Sequence, residues 1–296
     1  MTLSSHFGRR SFLRKASLAA GGLLLPGAIL PKKQRYRIAV VDLMILKRQK
    51  LGAFDLTKEI GADGVEVDMG GLGNRPTFDN QLADPAVRGQ FLDKAKALNL
   101  EICSLAMTGF YAQSFARRDG VEGTVQDCID TMTAMKVKTA FLPMGVQGDL
   151  VKNPELRPVI IERLRAVAPR AEKAGVVIGI ETALDAAGEA ALLDEVGSGA
   201  IKSYFNFSNA LQEGRDLARE LETLGTKRIC QIHCTDHDGV LLQNNTRLDM
   251  HKVRQTLDRM HWSGWLVIER SRDANDVRNV KGNFGANTAY MKSIFQ

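Results

Sequence analysis

The chain has 296 residues, 44% hydrophobic and only 6% aromatic, with 27 glycines; it can bury one large core and fits a helix-rich α/β protein better than a β-sandwich. A formal net charge of +6 would point to an anionic partner, but residues 1–33 hold Arg9, Arg10, Arg14, Lys15, Lys32 and Lys33 and no acid. The rest is balanced, with 34 basic and 34 acidic residues, so a broad basic field for nucleic acid is excluded.

The first element in chain order is Arg9-Arg10-Ser11-Phe12-Leu13-Arg14-Lys15 followed by the apolar run 16–30. The run is interrupted by Gly21, Gly22 and Pro26 and is shorter than the roughly 20 residues a membrane span needs. Its apolar residues are continuous and not periodic, which argues against an amphipathic helix lying on the fold. The segment resembles a twin-arginine export signal, and so predicts delivery to a bacterial periplasm by the twin-arginine machinery. No clear small-x-small cleavage site precedes Lys32, which leaves open whether the leader is cut or kept as an anchor. Residues 1–33 are therefore set apart, and 34–296 are expected to form one domain.

From residue 36 onward, short β-branched runs alternate with longer helical stretches. Strands are expected at 36–41, 64–67, 101–105, 139–142, 176–180, 203–205, 229–232 and 266–268. Helices are expected at 51–60, 85–98, 122–135, 154–173, 189–196, 213–224, 250–260 and 285–295. Eight of each in strict alternation is the count that closes a (β/α)8 TIM barrel. An open doubly wound sheet is less well supported: Gly70-Gly71-Leu72-Gly73 follows the second expected strand, opens no helix and reads as a loop. Cys103, Cys128, Cys230 and Cys234 include no CxxC pair and read as buried thiols, not as a disulfide framework or zinc site.

In such a barrel, chemistry sits at the carboxyl ends of the strands. The fifth to eighth expected strands end at Glu181, Asn206, His233 and Glu269, separated by 25, 27 and 36 residues, each about one strand-plus-helix unit. One such residue alone is more often a satisfied polar group at a strand end. Four in consecutive units point to a shared site. Glu66 and Asp68 end the second strand, where they can bond sugar hydroxyls or cap the next loop. Arg270 and Arg272 follow Glu269, one to pair with a carboxylate and one to meet substrate. Phe110 and Tyr111 are expected as an apolar wall, His251 as a surface residue, and Trp262 and Trp265 as packing at the opposite rim.

This constellation, over roughly 35–296, resembles the sugar phosphate isomerase and epimerase superfamily of xylose isomerase-like barrels. The resemblance implies one divalent metal (Mn, Co, Mg or Zn) held by Glu181, Asn206, His233 and Glu269, with Glu181 and Glu269 also the acid/base pair. It places Asn209 at a substrate contact. Asn206 stands where the family has Asp, and removes one negative charge from the site. Asp236 can compensate as a ligand or supporting group, and Thr235 replaces a Lys common in the family. Glu66, Asn209, Asp236, His237 and Arg272 complete the expected substrate contacts, and His237 or Asp236 is the alternative base if both glutamates are ligands only.

The implied chemistry is removal of a proton beside a carbonyl through an enediolate, on an unphosphorylated sugar or keto-sugar. Two alternatives stay open: a lyase that expels the aglycone of a 3-keto-glycoside by the same proton abstraction, and a non-catalytic sugar-binding barrel. The carbohydrate and the export machinery are the implied partners, self-association into a homo-oligomer stays open, and nucleic acid is not expected. A phosphodiesterase of the endonuclease IV type would need several more histidines than the five present.

Overall fold

A computed structural model describes residues 34–296; the expected export signal lies outside the described residues. Eight parallel strands close into a barrel in sequence order: β1 (Tyr36–Val41), β2 (Gly64–Asp68), β3 (Glu101–Ala106), β4 (Thr139–Pro143), β5 (Val177–Glu181), β6 (Ile201–Asn206), β7 (Ile229–His233) and β8 (Gly264–Ile268). β8 pairs with β1 from Tyr36↔Gly264 to Val40↔Ile268, which completes the ring. The (β/α)8 expectation is met.

Nine helices accompany the described strands: α1 (Gly52–Ile60), α2 (Pro85–Ala97), α3 (Val121–Met135), α4 (Arg157–Ala174), α5 (Ala186–Val196), α6 (Phe207–Gln212), α7 (Leu217–Leu224), α8 (Met250–Arg259) and α9 (Val280–Phe295). Asp84, Asp185, Asp216 and Asp249 cap α2, α5, α7 and α8 by accepting backbone N–H bonds, so the chain enters these helices at fixed points. α6 was not expected; it starts at Asn206, whose side chain accepts from Ser208 N. Among the described residues, no helix is long and apolar enough to cross a membrane.

Period-2 alternation divides the core in two. One set of strand side chains packs with the helices around residues such as Ile38, Val65, Ile178 and Leu266. The other fills the barrel: Ala39, Val41, Cys103, Phe141, Tyr204, Trp265 and Val267. Trp265 plugs the lower end, with the Arg37 guanidinium 3.9 Å from its ring centre. Gly179 leaves room for this filling, because a Cβ there would stand 2.6 Å from Cys230 Sγ and 3.0 Å from Tyr204.

Two slips in strand pairing place polar groups under the upper rim. Between β2 and β3 the register skips Cys103 and sets Ser104 beside Glu66; between β6 and β7 it skips Cys230 and sets Gln231 beside Tyr204.

Behind the wall, α5 buries Glu189, which accepts from Thr182 Oγ1 at 2.7 Å through one oxygen while the other has no partner. Burial pushes its pKa from 4.5 to about 7, against the opposing effect of its hydrogen bonds. The folded value exceeds the unfolded one, so this carboxyl's contribution is full below pH 4.5 and is lost as pH rises through about 7. Glu189→Gln is therefore expected to gain on wild type by on the order of 3 kcal/mol between pH 4.5 and pH 8 in urea unfolding. An equal difference at both pH values would contradict this assignment.

Candidate active site

The barrel interior is built in tiers. The lowest polar tier is a closed network: Gln231 Nε2 donates to Ser104 Oγ at 2.9 Å and to Tyr204 Oη at 2.8 Å. Ser104 and Tyr204 each donate to Glu66 Oε2, at 2.6 and 2.5 Å. Glu66 has no exposure at all, and its other oxygen lies 3.2 Å from His233 Nε2. Glu66, expected as a substrate contact, lies below the cleft and supports His233.

His233 ends β7 and is 1% exposed, with its ring against Phe141 and Tyr204 at 4.6 and 4.5 Å between centres. Its Nδ1 faces Glu181 Oε2 at 3.4 Å. Burial alone would lower its pKa, but Glu66 and Glu181 outweigh burial and raise it to about 10. Glu66 correspondingly falls below its ordinary value: burial opposes the change, and His233 drives it.

The next tier holds the ends of β5, β6 and β8. Asn206 Nδ2 donates to Glu181 Oε2 at 2.9 Å and to Glu269 Oε2 at 3.2 Å, joining the two carboxyls. Glu181 also accepts from Tyr111 Oη at 3.3 Å, and Arg270 Nη2 lies 3.5 Å from Glu269 Oε1. Burial and the neighbouring Glu181 raise the Glu269 pKa, with His233 opposing them. Burial and Glu181 likewise push the Tyr111 phenol up, which keeps it a donor.

Above this tier opens a cleft of about 260 Å³, walled by Tyr111, Lys152, Glu181, Asn206, Asn209, Glu269 and Arg270. The strand ends thus bring Glu181, Asn206, His233 and Glu269 together, with Asn209 at the wall, its amide fixed by donation to Thr182 O at 3.1 Å. His233 lies beneath the cleft and does not line it.

Three expected contacts fall elsewhere. Asp236 is buried and held by both Arg247 Nη2 at 2.6 Å and Asn245 Nδ2 at 2.9 Å, so its oxygens fasten the β7 exit loop. His237, exposed beside it, turns its Nδ1 to Asp236 and Arg247. Arg272 grips Asp238 at 2.5 and 3.1 Å. None of the three lines the cleft. Asp68 accepts from Arg48 at 2.6 Å and from Gly70 N at 2.7 Å, so it caps the following loop. Lys152, on the loop after β4, was not foreseen; a lysine in a long loop carries no positional signal.

The divalent metal implied by the resemblance can be tested on these donors. Ser208 N–H requires an acceptor and finds Asn206 Oδ1 at 2.9 Å. An amide has one oxygen, so its NH2 must face the centre, where it is a donor and no ligand. Both His233 ring nitrogens face carboxylate oxygens. Among the described residues no group of three or more His, Cys, Asp or Glu is arranged to hold a metal. The donor set as arranged does not fit the ion: Asn206, expected as a ligand, bridges the Glu181 and Glu269 carboxyls through its amide.

A family model described as xylose isomerase-like TIM barrel matches residues 54–294. Among solved structures the chain is similar to a D-psicose 3-epimerase in the presence of D-fructose (TM-score 0.68, 11% identity, 88% of this chain and 99% of that one). It is also similar to a sugar phosphate isomerase/epimerase from Parabacteroides distasonis (0.69, 11%, 90% and 97%). A third is 3-keto-D-glucoside 4-epimerase from E. coli (0.65, 15%, 88% and 100%). No curated protein matches the sequence. At these identities the likeness is one of fold.

Proposed function

The chain belongs to the xylose isomerase-like TIM barrel family, and on that premise we propose that it is a sugar isomerase or epimerase moving a proton next to a carbonyl. The observation that carries this reading is the pair Glu181 and Glu269, two buried carboxyls joined by one amide at the floor of a sugar-sized cleft. Glu181 accepts from Tyr111, Asn206 and His233, which orient it as the group that takes the proton. Glu269, whose pKa is raised by burial and by Glu181 against the pull of His233, is the group we assign to return the proton. Unequal surroundings separate the two into base and acid.

Removing a proton beside a carbonyl leaves charge on oxygen. Arg270, which has N–H groups beyond the one facing Glu269, stands at the cleft wall as a donor toward that charge. Asn209 and Lys152 offer further donors to hydroxyls. The two wall cations are matched by acids, Lys152 by Asp149 at 3.3 Å and Arg270 by Glu269 at 3.5 Å, so no surplus charge awaits a phosphate. This supports an unphosphorylated sugar or keto-sugar as substrate. Where the carbon beside the abstracted proton bears a glycosidic oxygen, the same step expels an aglycone, and a 3-keto-glycoside would then be cleaved.

Ketohexoses and 3-keto-glycosides incubated with the protein and followed by NMR test this reading. A new epimer or isomer supports it, released aglycone selects the lyase, and recovery of every sugar unchanged would overturn it.

The periplasm is the proposed site of action, on the strength of Arg9 and Arg10 ahead of an apolar run. With residues 1–33 fused to a reporter, the wild-type leader is expected to deliver it to the periplasm. Arg9→Lys together with Arg10→Lys is expected to leave it in the cytoplasm; equal export of both would refute the leader assignment.

A further inference from the structure

We propose that the Asn206 amide closes this centre in place of a divalent ion, and that this one residue keeps the site from binding Mn, Co or Mg. The inference goes beyond the proposed function and does not depend on which sugar is turned over.

Geometry fixes the amide. α6 begins at Phe207, and the Ser208 N–H has Asn206 Oδ1 as its acceptor at 2.9 Å. A carboxylate in the same place has two oxygens; it can cap the helix with one and offer the other inward. An amide cannot do both. Its two N–H groups instead reach Glu181 Oε2 at 2.9 Å and Glu269 Oε2 at 3.2 Å, which accounts for both protons.

The remaining candidate donors are spent as well. Glu181 Oε1 takes the Tyr111 hydroxyl, and Glu269 Oε1 lies 3.5 Å from Arg270. His233 turns one ring nitrogen to Glu66 and the other to Glu181. A divalent ion would have to break both bonds of the amide and then face the positive end of its N–H dipoles. Hard cations are held by inward oxygens, and this centre presents a hydrogen-bond donor where one is required. The amide does the organising work of an ion: it holds the two carboxyl side chains at fixed separation.

Asn206→Asp restores the missing oxygen while Ser208 keeps its cap. The full chain, treated with chelator and dialysed, is titrated with Co(II) and Mn(II) and followed by calorimetry, by the visible spectrum of bound cobalt and by thermal melting, all without substrate. Wild type is expected to show no saturable binding and no shift in melting. Asn206→Asp is expected to take up one ion per chain at least about 100-fold more tightly, with a cobalt spectrum and a higher Tm. One equivalent of Co(II) or Mn(II) bound by wild type overturns the proposal. So does an Asn206→Asp variant that folds, by circular dichroism, yet binds no better than wild type. If that variant does not fold, the wild-type titration decides alone. Because sugar turnover is not the readout, failure here is distinct from failure of the isomerase reading.

Discussion

Glu269→Gln and Glu181→Gln are each expected to lower kcat by about 10²- to 10⁴-fold, the range set by loss of a positioned proton-transfer group. KM should change little, since Gln keeps the shape of each side chain and the walls at Tyr111, Asn209 and Arg270 stay in place. The two variants should differ in kind. Glu181→Gln removes the carboxylate that Tyr111, Asn206 and His233 surround, so it should also stop the first proton from leaving. Glu269→Gln removes the buried acid, so exchange of the substrate proton with water should survive better than formation of product. Steady-state rates and NMR exchange on the same samples separate these effects. A retained kcat in either variant would remove that residue from the mechanism.

Loss of His233 should give the largest change in stability. His233 and Glu66 are 1% and 0% exposed and face each other at 3.2 Å. Removing one member of a buried pair strands the other, at a cost of about 3–5 kcal/mol. For a barrel of this size, His233→Ala should lower Tm by on the order of 10 °C. Changing Glu66 to Gln in the same chain removes the stranded charge while keeping acceptors for Ser104 and Tyr204. The double variant should therefore be more stable than His233→Ala alone. Additive losses within about 0.5 kcal/mol would show that the pair is not coupled.

Much of the architecture is legible in the sequence because a short apolar, often β-branched run followed by a longer helical stretch recurs eight times. β1 begins and ends where the run does. β6 extends further than the expected 203–205, from Ile201 to Asn206, because Lys202 interrupts the apolar signal at its start. α6 is hidden because it is only six residues long and its start depends on Asn206, already read as a site residue. The four strand ends of the site are legible because inward-facing alternation is a property of the strand itself.

What local pattern cannot show is how a side chain is spent across a loop. Asp236 reads as a spare ligand until Arg247, eleven positions later, grips both its oxygens. Arg272 reads as a substrate contact until Asp238 takes it, leaving Arg270 at the cleft. Asn206 is the sharpest case. Its role turns on which end of one amide faces inward, and a backbone N–H at Ser208 decides that.

If Glu181 and Glu269 move a substrate proton, solvent exchange reports it most directly. Candidate sugars and 3-keto-glycosides are incubated in deuterated water with wild type and with the Glu181→Gln/Glu269→Gln double variant. Deuterium is expected at the carbon next to the carbonyl with wild type and none above the uncatalysed rate with the double variant. Product formed without deuterium, or equal incorporation by both proteins, would contradict it.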